Sequence, residues 1–182
     1  MAALDLSPLP KRIEHYVTSH DLEIGYRGAT ACSAAGITYR QLDYWARTSL
    51  VEPSIRTASG SGTQRLYGFR DILVLKIVKR LLDAGVSLQN IRTAVDHLRG
   101  RGVTDLERIT LMSDGASIYE CTSSDEIIDL LAGGQGVFGI AVGKVWHEVE
   151  GSLLRLQGEI NGQLISGQDN DELSLRRKSK GA

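Results

Sequence analysis

Four side chains able to form directional hydrogen bonds lie close together near residue 40: Arg40, Gln41, Tyr44 and Arg47. Residues three or four positions apart share one face of a helix, so Arg40, Tyr44 and Arg47 can point in one direction. Arginine and glutamine bond to purine edges in the major groove of DNA, and arginine also binds phosphates. The segment therefore indicates a DNA-contacting helix. An ordinary helical hairpin without a DNA role is the alternative, because look-alikes are common.

The flanking residues predict the elements that position this helix. Gly36 can adopt the left-handed conformation that ends one helix, and Thr38 can cap the next through its side-chain oxygen. Leu42 and Trp45 lie three residues apart and can anchor the second helix inward. A short Ala-rich helix over residues 29–35 precedes the glycine. Together these features predict a helix-turn-helix over residues 29–47.

A β-hairpin is predicted directly after the helix-turn-helix. Residues 54–57 and 64–67 are short extended arms around a Ser/Gly-rich tip, and Pro53 forbids continuation of the preceding helix. The arms contribute Arg56 and Arg65. A flexible basic hairpin beside a recognition helix is suited to phosphate or minor-groove contact, which is the arrangement called a wing. A solvated surface loop is the alternative interpretation.

Composition limits the classes of protein to which the chain can belong. Its 182 residues are 42% hydrophobic, which suffices for a packed core. No apolar run approaches the roughly 18 residues of a membrane helix, and the N-terminus lacks a secretory signal. We therefore expect a cytoplasmic, nucleoid-associated protein with no membrane partner. Cys32 and Cys121 belong to no metal-binding cluster, so neither a metal site nor a cofactor is predicted.

The net charge of −1 conceals a change of sign along the chain. Residues 25–80 contain nine Lys or Arg against three acids, a balance of +6. Residues 101–175 contain four basic residues against thirteen acidic ones, a balance of −9. This pattern indicates a polyanion-binding module followed by a module that does not bind polyanions.

The second half is predicted to be a small α/β unit with the order β-β-α-β-α over residues 101–160. Asp114-Gly115 between two apolar runs is a strong hairpin signal. A helix over residues 144–160 carries an apolar stripe that either forms a dimer interface or belongs to the core of the unit; its members are Val145, Val149, Leu153, Leu156 and Ile160. Residues 1–24 are predicted to be a flexible arm, and residues 161–182 a disordered basic tail.

No arrangement of residues predicts catalysis. The glycine loop at residues 133–136 lacks a following Lys-Ser/Thr and precedes a strand, so it does not match a phosphate loop. We find no Ser/His/Asp set at suitable spacing, and an enzyme is not expected.

The order of motifs resembles the DNA-binding domain of the mercury-resistance-regulator (MerR) family over about residues 25–99. The likeness rests on the turn and the 39–47 helix, Leu50-Val51-Glu52-Pro53, Arg65-Leu66-Tyr67, and the segment from Asp83 to Ile91. It implies DNA contacts from the recognition helix at Arg40 and Tyr44, and backbone contacts from the wing at Arg56, Arg65 and Tyr67. The full candidate DNA-binding set is Thr38, Tyr39, Arg40, Gln41, Tyr44, Arg47, Arg56, Arg65 and Tyr67.

Three departures from the family pattern limit what the resemblance implies. The wing is about three residues longer. Asp43 and Ala46 stand where the family often has Arg and Glu, so the base preference does not transfer. Gly100 and Gly102 break the chain where many members continue into a long helix and a cysteine loop, which disfavours metal sensing.

We therefore predict a mixed, mainly α protein with an N-terminal winged helix-turn-helix domain at residues 25–100 and a small α/β domain at 101–160. The predicted function is a sequence-specific transcriptional regulator that binds a palindromic promoter site as a homodimer. Its expected partners are double-stranded DNA and a second copy of the chain, with RNA polymerase as a further candidate. The alternatives are a small-molecule-sensing module in the C-terminal domain and a sequence-indifferent architectural DNA-binding protein.

Overall fold

The computed structural model describes residues 24–58, 60, 63–134, 136–160 and 163–166. It confirms the mixed, mainly α fold with an N-terminal helix-turn-helix and a small α/β part. The predicted arm at residues 1–24 lies outside the described residues except for Ile24.

The helix-turn-helix consists of α1 (Gly28–Ala35) and α2 (Tyr39–Arg47). Gly36 ends α1 in the left-handed region with φ of 72°, which confirms the predicted turn. Ile37 is buried at the corner, and Leu42 and Trp45 are each 2% exposed. The turn is thus held by one permissive glycine and three apolar side chains.

The wing, residues 54–67, is attached to a small two-stranded sheet. Strand β1 (Tyr26–Arg27) pairs antiparallel with β2 (Leu66–Tyr67), with Tyr26 opposite Tyr67. Arg56 forms an isolated bridge to Leu66, so the two predicted arms meet at the root of the wing. Most of the Ser/Gly tip, residues 59, 61 and 62, lies outside the described part of the chain.

Two longer helices, α3 (Phe69–Asp83) and α4 (Leu88–Arg99), complete the first half. Gly85 turns the chain between them at φ of 85°, and Ser87 caps α4 through the Asn90 N–H. Helix α3 buries eight of its fifteen residues, because it packs against α1, α4 and the second half of the chain. It is therefore the central element of the fold.

The second half contains the predicted β-β-α-β-α order. A short helix α5 (Val103–Leu106) leads into the antiparallel pair β3 (Thr110–Ser113) and β4 (Ile118–Cys121). Helix α6 (Ser124–Ala132) follows, then β5 (Phe138–Ala141), which pairs with β3 to give the strand order β4-β3-β5. Helix α7 (Val142–Leu153) begins directly after β5. The hairpin predicted at Asp114-Gly115 is confirmed.

The prediction that one helix continues to Ile160 is wrong. Helix α7 ends at Leu153, and the chain turns into the hairpin β6 (Gln157–Ile160) and β7 (Gln163–Ser166). Gly158 disfavours continuation of the helix, and the β-branched Ile160 favours a strand. Strand β7 also contradicts a wholly disordered tail, whereas residues 161–162 and 167–182 lie outside the described residues.

One hydrophobic core runs through both halves. Phe69 of α3 packs on Trp146 of α7 with ring centroids 4.6 Å apart. Val145 and Val149 are fully buried and Leu153 is 6% exposed, all within the same core cluster as the helix-turn-helix. Leu156 is half-buried beyond the end of α7. The part of the proposed dimerisation stripe from Val145 to Leu153 therefore follows the alternative interpretation and belongs to the core.

No helix among the described residues is long and apolar enough to span a membrane.

Candidate nucleic-acid interface

Helix α2 presents the predicted recognition residues on the side away from its anchors. Tyr39 is 66% exposed and Tyr44 is 47% exposed, and the side chain of Arg47 is 68% exposed. Arg40 is also exposed, and within the part of the chain that the structure describes it has no ion pair. Because Leu42 and Trp45 are buried on the opposite face, rotation of the helix is prevented and these four side chains remain outward.

Two members of the predicted DNA-binding set form the N-terminal cap of α2. The backbone N–H of Gln41 donates to Oγ1 of Thr38 at 3.2 Å, and the backbone N–H of Thr38 donates to Oε1 of Gln41 at 3.0 Å. This is a capping box, which satisfies two backbone donors at the start of the helix. The side-chain oxygen of Gln41 is thus already used within the protein.

The far end of α2 is held by arginines of α4. Arg92 donates to the carbonyl of Thr48 at 2.8 Å, and Arg99 donates to the carbonyls of Ser49 and Leu50 at 2.9 and 2.8 Å. These contacts satisfy carbonyl groups just beyond the last turn of α2. No local pattern indicates these contacts, because they join positions more than forty residues apart.

The root of the wing is fastened by one buried carboxylate. Oδ2 of Asp71 accepts from the backbone N–H and hydroxyl of Ser54 at 2.8 and 2.7 Å, and from the backbone N–H of Gly68 at 2.8 Å. Ser54 begins the wing and Gly68 follows its end, so Asp71 closes the loop. Burial raises the pKa of Asp71, and the three hydrogen bonds oppose that rise in part.

The wing arginines are held by partners within the protein. Nε of Arg56 donates to the carbonyl of Gln64 at 3.1 Å, across the hairpin. Nη1 of Arg65 lies 2.8 Å from Oδ1 of Asp43 on α2, and Oδ2 of Asp43 lies 2.7 Å from Nη2 of Arg47. The hydrogen bond from Arg65 is the largest cause of a lowered pKa at Asp43. A carboxylate on α2 therefore connects the recognition helix with the wing.

Tyr67 occupies the interior and does not line the outer surface. It is fully buried, and its hydroxyl forms no hydrogen bond of standard geometry with the described residues, although it interacts with the guanidinium of Arg65. Burial raises its pKa to about 12, and the nearby charge of Arg65 opposes the rise. This position contradicts the prediction that Tyr67 contacts the DNA backbone directly.

Only part of the basic charge of the first half faces outward beside α2. On α3, Arg70 donates to the carbonyls of Leu98, Arg99 and Arg101, where it caps the end of α4. Three other cations of α3 also have partners within the protein. Lys79 pairs with Asp83 and Arg80 with Glu148, while Lys76 contacts both Glu148 and the carbonyl of Ala34. Four of the nine basic residues are thus structural, which the charge balance alone could not reveal.

The remaining candidates form one continuous region, the α2–wing surface, which we define as Tyr39, Arg40, Tyr44, Arg47, Arg56 and Arg65. A cleft of about 500 Å³ lies at its edge between the start of α1, α2 and the wing. Tyr39, Asp43 and Arg65 line it. The described residues contain no group of three or more His, Cys, Asp or Glu placed to hold a metal ion.

Comparison with known proteins gives the family. Residues 26–98 match the model of the MerR HTH family of regulatory proteins. The chain is 65% identical over 159 residues to an HTH-type transcriptional regulator of Mycobacterium tuberculosis and to one of Mycobacterium bovis, covering 86% of this chain and 70% of each relative. It is 29% identical over 83 residues to the HTH-type transcriptional regulator HmrR of Sinorhizobium medicae, covering 44% of this chain and 54% of HmrR.

The match spans β1, the helix-turn-helix, the wing, α3 and α4, which are the elements that build the α2–wing surface. The chain therefore belongs to the MerR family of helix-turn-helix transcriptional regulators.

Proposed function

We propose that this regulator binds double-stranded DNA sequence-specifically, as a homodimer on a palindromic promoter site. The observation that carries the proposal is the outward face of α2, on which Tyr39, Arg40 and Tyr44 are exposed while Leu42 and Trp45 are buried. A helix anchored in this way can enter the major groove, where its outer side chains meet base edges.

The wing supplies the second part of the proposed interface. Arg56 and Arg65 belong to a hairpin that contacts α2 through Arg65 and Asp43, and whose root is fastened to α3 through Asp71. Contacts from such a hairpin to phosphates would set the register of α2 on the duplex without reading sequence. We then assign the reading of base sequence mainly to Arg40, and the exposed Tyr39 and Tyr44 of the same helix are its neighbours in the proposed interface.

A homodimer is proposed because one recognition helix reads only about half of a site, and two-fold symmetry matches a palindrome. We place the contact between copies in the C-terminal α/β part, on α6. That helix buries no residue, and its Ile128 and Leu131 are 60% and 51% exposed. Sedimentation of Ile128→Glu tests this placement: a folded monomer is expected, and an unchanged dimer contradicts it.

Promoter binding would bring the regulator to RNA polymerase and to the nucleoid. In-vitro transcription from a selected promoter, with and without the protein, gives the direction of control. Family membership supports this role, since the relatives are named as transcriptional regulators.

Selection of bound sequences from a random DNA pool tests the central proposal. We expect enrichment of one palindrome, and equal affinity for random DNA would instead support an architectural protein. Arg40→Ala should weaken operator binding by about 5- to 150-fold, because a bidentate base contact contributes about 1–3 kcal/mol.

Arg108→Ala is the matched control for that variant, since Arg108 is also exposed but follows α5, in the second half of the chain. It removes the same charge and should leave operator affinity nearly unchanged. Thermal melts of both variants confirm that they are folded. Equal losses in the two variants would remove Arg40 from base recognition.

A further inference from the structure

Asp43 places a negative charge in the middle of a surface that is proposed to meet a polyanion. It lies on α2 three residues after Arg40 and four before Arg47, so the three side chains share one face of the helix. Its side chain is 32% exposed. A carboxylate at this place opposes the approach of phosphates and requires an explanation in terms of function.

Each oxygen of this carboxylate holds a different arginine of the α2–wing surface. Oδ1 lies 2.8 Å from Nη1 of Arg65, and Oδ2 lies 2.7 Å from Nη2 of Arg47. Two cations are therefore balanced by one anion before any DNA arrives. The geometry also links the wing to α2 across 22 positions of the chain.

The two pairs differ in how easily DNA can break them. The side chains of Arg65 and Asp43 are 27% and 32% exposed, so this pair is shielded from solvent. Arg47 is 68% exposed, and an exposed i,i+4 ion pair contributes little because solvent screens it. Arg47 can exchange Asp43 for a phosphate when the duplex is well placed, whereas Arg65 stays on α2 and keeps the wing in position.

We propose that Asp43 is a specificity-determining residue, which restrains the attraction of the α2–wing surface to DNA of any sequence by pairing Arg47 and Arg65. Sequence-independent affinity comes from cations that displace counterions at phosphates. Arginines that are paired with Asp43 contribute less to this sequence-independent affinity. Tight binding then depends more strongly on base contacts such as those assigned to Arg40. This inference rests on the proposed DNA-binding function.

A direct contact from Asp43 to a base is the competing interpretation, because a carboxylate can accept from the N4 amino group of cytosine. Occupation of both oxygens by arginines argues against it, since the carboxylate is already held on two sides. The two interpretations differ in one measurable property. Pairing affects every DNA sequence, whereas a base contact affects one position of the site.

The test measures affinity for the selected operator and for a random duplex over a range of salt concentrations. Asp43→Asn keeps the shape and removes the charge. We expect its affinity for random DNA to rise about tenfold at 0.1 M salt, with a slope of log K against log salt steeper by about 1 to 2. Operator affinity should rise less, so the ratio of specific to random binding should fall.

Two variants serve as matched controls. Asp43→Glu keeps the carboxylate, so its slope of log K against log salt and its ratio of specific to random binding should match those of wild type. Asp83→Asn makes the same change of charge at an i,i+4 partner of Lys79 on α3, outside the α2–wing surface, and should leave both unchanged. Thermal melts show whether all three variants are folded.

Equal slopes for Asp43→Asn and Asp83→Asn would overturn the proposal. So would a changed base preference at one position with an unchanged slope on random DNA, since that result assigns Asp43 to base recognition. A wild-type protein that binds neither duplex would overturn the proposed function as well, whereas the first two outcomes leave DNA binding intact.

Discussion

Nη2 of Arg80 on α3 lies 2.8 and 2.6 Å from the two carboxylate oxygens of Glu148 on α7. The same carboxylate lies 3.6 Å from Nζ of Lys76, which also donates to the carbonyl of Ala34 at the end of α1. One acidic side chain of the second half therefore contacts the central helix and, through Lys76, the helix-turn-helix. Beside the Phe69–Trp146 contact, this cluster joins the two halves of the chain.

Glu148→Gln tests how much this charged contact stabilises the fold. We expect the free energy of unfolding to fall by about 0.5–1 kcal/mol, because Arg80 and Glu148 are 36% and 46% exposed and solvent screens them. Urea denaturation at neutral pH gives the value. Asp129→Asn, at an exposed position of α6, is the control and should stay within about 0.5 kcal/mol of wild type.

The pH dependence of this contribution has a defined sign. Burial raises the pKa of Glu148, but the hydrogen bond and charge of Arg80 and the charge of Lys76 lower it by more, so the net shift is downward from 4.5. A carboxylate with a lowered pKa stabilises the fold above its unfolded value. The difference between wild type and Glu148→Gln should therefore shrink as the pH falls below about 4.5.

Local patterns predicted the helix-turn-helix well, and long-range contacts explain what they missed. The glycine turn at Gly36 and the cap at Thr38 depend on residues within four positions, so the sequence alone was enough. The contact of Arg65 with Asp43 spans 22 positions, and that of Arg80 with Glu148 spans 68. No periodicity or motif encodes such contacts, because they arise only when the elements pack.

The incorrect predictions for the C-terminal helix and for Tyr67 also arise from long-range contacts. The spacing of Val145, Val149, Leu153, Leu156 and Ile160 suits a helix, but pairing of β6 with β7 places the last of them in a strand. Tyr67 was expected to contact DNA because the resemblance to the MerR family implied backbone contacts from the wing at that position. Its burial follows from packing of β2 against α1 and α3, which local sequence does not show.

Tyr67→Phe separates burial from DNA contact at this position. We expect DNA affinity within about twofold of wild type, because a side chain without exposed surface cannot reach a phosphate. The free energy of unfolding should change by less than about 1 kcal/mol, because the hydroxyl interacts with Arg65 but forms no hydrogen bond of standard geometry. Gel shifts and urea denaturation measure the two effects, and a large loss of DNA affinity in a stable variant would restore Tyr67 to the interface.

The same variant has an expected signature at alkaline pH. The pKa of Tyr67 is about 12 in the folded protein against an ordinary value of 10.0, so unfolded chains lose the proton first. Wild-type stability should therefore fall as the pH rises from about 10 to 12. Tyr67→Phe should lack this part of the fall when both proteins are melted over that range.

Asp71→Ala should loosen the wing and weaken DNA binding together. The change leaves the N–H groups of Ser54 and Gly68 without their acceptor, and we expect a loss of about 2–3 kcal/mol of stability. Asp71→Asn keeps an acceptor oxygen and should remain within about 1 kcal/mol of wild type. Wing order can be followed by hydrogen exchange at residues 54–57, and equal protection in both variants would contradict the role of Asp71.

Asp71 also has a pH effect opposite in sign to that of Glu148. Burial raises its pKa above 3.8, so the folded protein holds this proton more tightly than unfolded chains do. The stability of wild type relative to Asp71→Asn should therefore fall as the pH rises from about 3.8 through the folded pKa, and then stay constant. Paired urea titrations between about pH 3.5 and 7 isolate this difference. A relative stability that rises with pH would show that the hydrogen bonds outweigh burial.

Gly36→Ala tests the backbone conformation that sets the angle between α1 and α2. A methyl group there meets no heavy atom within 4 Å, so the expected loss of about 1–2 kcal/mol comes from the left-handed φ of +72° alone. Gly151→Ala is the matched control, because it lies inside α7, its added methyl also meets nothing within 4 Å, and φ is not left-handed there. The free energy of unfolding of that variant should rise by about 0.5–1 kcal/mol, since alanine has a higher helix propensity than glycine. Opposite signs in urea denaturation are therefore expected for the same chemical change, and equal effects would show that the turn at Gly36 does not depend on glycine.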